Sequence, residues 1–139
     1  MPFKTFVKNQ ITMNILIWTL QGFIAATFLY SGINKSFFPK QLLIVKGQTG
    51  VTNLPLPFIR FIGISEILGA IGIILPYLLN IYPGLTAIAS LCLALIMIPA
   101  AIIHYNLGKI KNRQKENNNA LFNMILLIIC LFIAYYRTR

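Results

Sequence analysis

Long uncharged stretches alternate with short basic ones along this chain. No charged side chain occurs from Asn9 to Asn34, from Ile67 to Gly108, or from Ala120 to Tyr136. The first stretch is long enough to cross ~30 Å of hydrocarbon as a helix, with its core at Met13–Ser31. The second is about twice too long for one span at ~1.5 Å per residue. Pro76, Asn80, Pro83 and Gly84 punctuate it, so it breaks at Asn80–Pro83. The pattern predicts four spans, at about 12–34, 57–79, 83–106 and 119–137, within a single domain covering residues 1–139. The runs are continuously apolar rather than alternating, which argues against β-structure. The expected fold class is all-α, an integral membrane four-helix bundle.

Two segments qualify this pattern. Lys4 and Lys8 precede the first apolar run, as in a signal peptide. That run exceeds a signal core of ~7–15 residues, so we expect an uncleaved first helix. Residues Lys35–Leu56 are too many for a tight turn. They mix Phe37, Phe38, Leu42, Leu43, Ile44 and Val45 with Lys35, Lys40 and Lys46. Aromatic and aliphatic groups beside lysines suit a membrane interface. A short interfacial helix is expected near Pro39–Lys46, with a re-entrant segment as the alternative.

Composition strengthens the membrane reading. Hydrophobic residues make up 58% of the chain and charged ones 10%, against ~45–50% and ~25% in soluble domains. So few charges cannot coat a soluble domain of this size, and the same numbers exclude intrinsic disorder. The net charge is +10, from 12 Lys and Arg against 2 acids. No groove-reading motif accompanies that charge, so nucleic acid is not an expected partner. The basic residues lie between apolar runs, where anionic lipid headgroups are the natural counterpart. The connections after the first and third spans hold Lys35, Lys40, Lys46, Arg60, Lys109, Lys111, Arg113 and Lys115. The opposite side holds Lys4, Lys8, Arg137 and Arg139. Positive-inside counting therefore places those two connections in the cytoplasm and both termini outside. The two N-terminal lysines argue the other way.

Inside the spans the candidate chemistry is sparse. Glu66 is the one acid within a span, about 13 Å of helix beyond Pro57 and so near mid-depth. An acid there is costly unless paired, neutral or wet. Gly63, Gly69 and Ala70 are its neighbours on the helix surface, and small residues admit a close helix or a cleft. Helix alternation brings Lys35, Arg60 and His104 to the side of the membrane above Glu66. Gly32 precedes Lys35 on the first helix, and Ala100 and Ala101 precede His104. These residues can line one pocket open to the basic side. Glu66 and His104 are its candidate acid–base (catalytic) groups, and Lys35, Arg60, Gly63 and Gly69 its candidate binding residues. The alternative is a structural staple of Glu66 with Lys35 or Arg60. Arg60 is awkward for that role, about 240° around the same helix from Glu66. The other acid, Glu116, is expected to be solvated in the basic connection.

Several chemistries are excluded. One histidine cannot ligate a bis-His haem, and Cys92 and Cys130 cannot hold an iron–sulfur cluster or form a dithiol motif. One His and one usable Glu make a poor zinc site. Neither a phosphate loop nor a serine elbow is present. No built-in cofactor or metal is expected; a redox role would need a diffusible quinone or a partner's cofactor.

Three segments resemble the DoxX-like family. Ser31-Gly32-Ile33-Asn34-Lys35 is similar to its G-x-x-K at the end of the first helix. Residues Gly63 to Pro76, reading GISEILGAIGIILP, resemble its G-x-x-E-x-x-G-A-x-G-L-x-x-P helix. Ala100-Ala101-Ile102-Ile103-His104 resembles the A-x-x-x-H that closes its third helix. Ile73 stands for the usual Leu, and Pro99 precedes the alanine pair. The similarity runs in order from about Gly22 to Arg137. It implies a small four-helix protein of the bacterial plasma (inner) membrane. The family takes its name from a subunit of an archaeal terminal quinol oxidase. Relatives are linked to methylamine-dehydrogenase maturation and redox-stress complexes, and one eukaryotic relative resembles a chaperone for nicotinic receptors. Three functions are therefore open. One is an accessory redox-membrane subunit binding a quinone or similar lipid. The second is a non-catalytic assembly factor holding a membrane-protein partner or a second copy. The third is a proton-coupled small transporter.

Overall fold

The computed structural model describes residues 2–111 and 114–139. Arg113, one of the basic residues counted above, lies outside them. The elements are α1 (Pro2–Phe37), α2 (Lys40–Val45), a 3₁₀ turn (Thr49–Val51), α3 (Leu56–Leu78), α4 (Gly84–Lys111) and α5 (Gln114–Thr138). The described residues are all-α, and α1, α3, α4 and α5 are long and apolar enough to cross a membrane. Large side chains on their outer faces are exposed, among them Ile15, Phe23, Leu68, Leu95 and Ile128. In a soluble protein such a surface would aggregate; here it is the surface that lipid covers.

The shared core takes Ile24 and Phe28 from α1, Ala70 and Ile73 from α3, Leu93 and Met97 from α4, and Leu126 and Ile133 from α5. Close approach depends on small residues. A Cβ added at Gly32 would lie 2.7 Å from the Gly63 carbonyl oxygen, and one at Gly63 would lie 2.9 Å from the Gly32 carbonyl oxygen. Backbone therefore meets backbone between α1 and α3. On the other face of α3, Gly69 meets Leu93 and Gly72 meets Ala89. These pairs fix the antiparallel register of α3 and α4, with Glu66 level with Ile96.

The α3–α4 connection breaks where Asn80 and Pro83 indicate. Asn80 adopts φ 53°, in the left-handed region that asparagine tolerates. The Ile81 N–H donates to the Pro76 carbonyl at 3.0 Å and the Asn80 N–H to the Tyr77 carbonyl at 3.4 Å. This is the paired closure of a Schellman motif.

α1 departs from the expected bounds. It starts at Pro2 rather than near residue 12. Proline is tolerated in a first turn, and no Gly or Pro interrupts the chain before Gly22. Arg137, near the end of α5, reaches Asn14 and Gln21 on α1, so α1 continues about 18 Å past that level. Both chain ends thus lie at one end of the bundle.

That end is closed by Arg137. Its Nε and Nη2 donate to Gln21 Oε1 at 2.8 and 2.6 Å, and its guanidinium lies 3.7 Å from the Tyr77 ring centroid. Gln21 in turn donates to the Ile73 carbonyl. One cation therefore ties α1, α3 and α5 together through charge-assisted hydrogen bonds and a ring face.

The opposite end is capped by α2 and the 3₁₀ turn, as the interfacial-helix expectation has it. Leu43, Val51 and Ile59 form a second, smaller core there, with Phe38, Ile44 and Leu54 against it. Lys40 Nζ donates to the Leu54 carbonyl at 2.9 Å. The Lys46 ammonium stands 4.1 Å from the Phe38 ring centroid. The segment is a folded lid with its own packing.

The glycine contacts give a paired prediction. Gly32→Ala drives a Cβ into backbone and should cost ~1–3 kcal/mol. Gly22 has nothing within 4 Å of an added Cβ, so Gly22→Ala should be neutral or stabilising by up to ~1 kcal/mol. Thermal unfolding in detergent micelles distinguishes the two; equal effects would contradict the packing described.

Candidate functional site

Glu66 enters the bundle from α3 and is 1% exposed. Its partner is Lys35, whose Nζ lies 2.7 Å from Glu66 Oε1. The Gly32–Gly63 contact brings the end of α1 close enough for this, and the lysine stem reaches back about one turn toward mid-depth. Arg60 takes another role. Its Nη1 donates to the Lys35 carbonyl oxygen at 2.7 Å, satisfying a carbonyl freed at the end of α1. The pair engages one carboxylate oxygen. Glu66 Oε2 is buried and has no hydrogen-bond partner among the described residues.

A cavity of about 520 Å³ adjoins Glu66. Lys35, Glu66 and His104 all line it, together with apolar side chains of all four spanning helices and residues of the cap. By the α3–α4 register, the His104 backbone lies about 12 Å closer to the cap than that of Glu66. The cavity thus runs from a carboxylate at mid-depth to an imidazole under the lid. Gln48 lines it near the lid, and its Oε1 is buried without a partner.

His104 is held by Glu116. The His104 Nδ1 and Glu116 Oε2 are 2.8 Å apart, and Thr49 donates its hydroxyl to both Glu116 oxygens at 2.8 and 2.9 Å. A carboxylate can only accept, so Nδ1 carries the proton of that bond and Nε2 is left for the cavity side. The Gly50 backbone covers this nitrogen: a Cβ there would come within 3.1 Å of His104 Nε2. The carboxylate fixes the ring's orientation, and the same carboxylate latches the lid.

Glu116 corrects the sequence expectation. It is 3% exposed, not solvated. α5 begins at Gln114, a turn earlier than expected, because Asn117-Asn118-Asn119 continue the helix instead of forming a loop. Glu116 therefore lies in the first turn, where a negative charge complements the helix dipole. Thr49, Gln48 and Gly50 carried no sequence signal, since only the fold of the lid brings Thr49 to Glu116 and Gln48 and Gly50 to the cavity.

The remaining candidates lie elsewhere. Arg60, Gly63 and Gly69 are outside the cavity lining: Arg60 ends α1, Gly63 faces α1, and Gly69 faces Leu93. Among the described residues no three His, Cys, Asp or Glu side chains come together as a metal site would need. Cys130 is buried in the core and its carbonyl accepts from Ser90 Oγ at 2.6 Å; Cys92 is exposed on the outer face.

The ion pair yields a stability prediction. Lys35→Met leaves a buried carboxylate unpaired and should cost ~3–5 kcal/mol. Adding Glu66→Leu removes the orphaned charge and should recover most of that loss. A double variant no more stable than Lys35→Met alone, in detergent unfolding, would contradict the dry-pair geometry.

Searches of curated proteins and of solved structures return no match to this chain. The family comparison does. Residues 19–133 match the model of the DoxX-like family. The match takes in the end of α1 with Lys35, the whole of α3 with Glu66, and α4 with His104. This chain, a multi-pass membrane protein of four spanning helices, belongs to the DoxX-like family.

Proposed function

We propose that the chain is an accessory protein of membrane redox chemistry that binds a quinone-type or similar lipid in the cavity beside Glu66. One observation carries the reading: a buried carboxylate, held by Lys35 through one oxygen and unpartnered at the other among the described residues, belongs to a residue that lines a mostly apolar cavity. An ionisable group at membrane depth is costly, which makes it a functional-site candidate by default. Small-molecule sites share this build, with apolar walls and a few convergent polar groups.

The access route fits a lipid. Tyr30, Phe61 and Leu95 line the cavity while 61%, 66% and 66% exposed. The cavity therefore reaches the lipid-facing surface between helices, and a ligand can enter from the bilayer. In this reading Glu66 and His104 are the acid–base groups, and Glu116 positions the imidazole. The reading also places the lid and the basic connections in the cytoplasm of a bacterial inner membrane.

The packing favours this function over that of an assembly factor working through small-residue faces. Gly32, Gly63, Gly69 and Gly72 meet neighbours within the bundle, which leaves those contacts filled from inside the chain.

Two measurements test the proposal. Mild-detergent extraction followed by mass spectrometry should find an isoprenoid or other long-chain lipid retained at near-stoichiometric amounts. Ala100 lines the cavity, so Ala100→Phe should reduce that retention at least about tenfold while the protein still inserts and folds. Equal lipid content in the two proteins would place the lipid on the outer surface and end the cavity reading.

A further inference from the structure

Resting on the cavity reading, we infer that the ligand's head carries a hydroxyl group, and that the site selects it over a carbonyl, ether or carboxylate head. The argument begins with what is left unbonded. Glu66 Oε2 is buried, lines the cavity through its residue, and has no partner. A carboxylate oxygen only accepts. Beside it stands the Lys35 ammonium, with three N–H donors, one of which bonds Glu66 Oε1. A head placed there meets an acceptor and a donor together.

A hydroxyl satisfies both. It donates to Glu66 Oε2 and accepts from Lys35 through its own lone pairs. A carbonyl or ether accepts from Lys35 but leaves Glu66 Oε2 facing a second set of lone pairs. A carboxylate head adds like charge beside Glu66. Leaving a buried acceptor unmade is the expensive outcome, so this one oxygen discriminates strongly.

The far end of the cavity carries both donors and acceptors, and among the described residues its buried acceptor without a partner is Gln48 Oε1. With Nδ1 donating to Glu116, His104 Nε2 lies under the Gly50 backbone. The hydroxyl of Thr49 is spent on Glu116 and that of Thr27 on the Phe23 carbonyl. Pro99, on the wall, has no N–H, so the carbonyl of Leu95 beside it lacks its helix donor. A ring with hydroxyls at opposite ends would address Glu66 with one and, at the lid, Gln48 Oε1 with the other. A single-headed alcohol would address Glu66 alone.

Matched probes test the inference on the purified full-length protein in nanodiscs of neutral lipid. The set is decyl-hydroquinone, its dimethyl ether, decyl-benzoquinone under separate oxidising conditions, hexadecanol and palmitate. Calorimetry or competition binding reads affinity. We expect hydroquinone to bind at least about tenfold tighter than its ether and than the quinone, and hexadecanol to exceed palmitate by a similar factor. Glu66→Gln, confirmed as folded by its unfolding curve, should bring the hydroquinone-to-ether ratio to within about threefold of unity. The wild-type comparison decides the matter if that variant does not fold. Hydroquinone favoured over its ether with hexadecanol not favoured over palmitate would confine the rule to phenols and overturn the selection against a carboxylate head. Preference in both pairs identifies hydroxyl recognition regardless of source. If quinone or ether binds as well as hydroquinone, water satisfies Glu66 and the hydroxyl rule fails, while the cavity reading stands. If no probe binds, both fail.

Discussion

An ion pair between Lys35 and Glu66, almost fully removed from water and set among apolar helices, is the interaction around which this bundle is arranged. Desolvating two charges is expensive, and a close, well-oriented contact is needed to offset it. That contact requires the end of α1 to lie against α3, which Gly32 and Gly63 permit by offering backbone to backbone. It also requires α1 to end at a fixed height. Arg60 supplies this by bonding the Lys35 carbonyl rather than Glu66. The residue that looked like a rival partner for the acid instead sets the position of the real one.

The two ends of the bundle solve different problems. At the end holding both termini, Arg137 fills the space between α1, α3 and α5 with its guanidinium, using Gln21 below and Tyr77 on its face. Among the described residues, the buried polar group left without a partner at that end is the Thr86 hydroxyl of α4. At the other end the chain spends a helix, a 3₁₀ turn and a small core of its own on a lid. There Gln48 Oε1 and, deeper, Glu66 Oε2 remain unbonded. Asn34 Nδ2 and Ser36 Oγ are unmatched there too, so most of the buried polar groups without partners among the described residues collect around the cap and the cavity.

How far the sequence reveals this follows from the range over which each signal acts. Spans, the Asn80–Pro83 break and the interfacial helix are local: apolar run length, a left-handed Asn and a Pro-bounded amphiphilic hexapeptide each act within a few residues. Glu66 stands out because an acid in an apolar run is conspicuous on its own. Alternation of helices also places Lys35, Glu66 and His104 toward one end. Facing is another matter. Gly63 and Gly69 flank Glu66 in sequence, yet they face α1 and α4 and leave the cavity to larger side chains. Glu116 was hidden because three successive asparagines resemble a loop; only the packing of α5 against α4 keeps them helical and carries the acid to His104. Arg137 was legible as a charge for topology and not as a clamp, because its partners on α1 lie more than a hundred residues away in sequence.

The division between bundle and lid bears on how one architecture can serve different ligands. The carboxylate and its lysine are fixed by helix–helix contacts that tolerate little change, since a methyl group at Gly32 or Gly63 would collide with backbone. The imidazole is fixed less rigidly. Its orientation depends on Glu116, and Glu116 is shared with Thr49 of the lid. Residues of the lid contribute the wall nearest the surface, where Gln48 and Gly50 meet the cavity. A change in the lid would therefore alter the shape and polarity above His104 while leaving the buried pair intact. In the proposed reading the bundle supplies the charge that any polar head must satisfy, and the lid decides which heads can reach it.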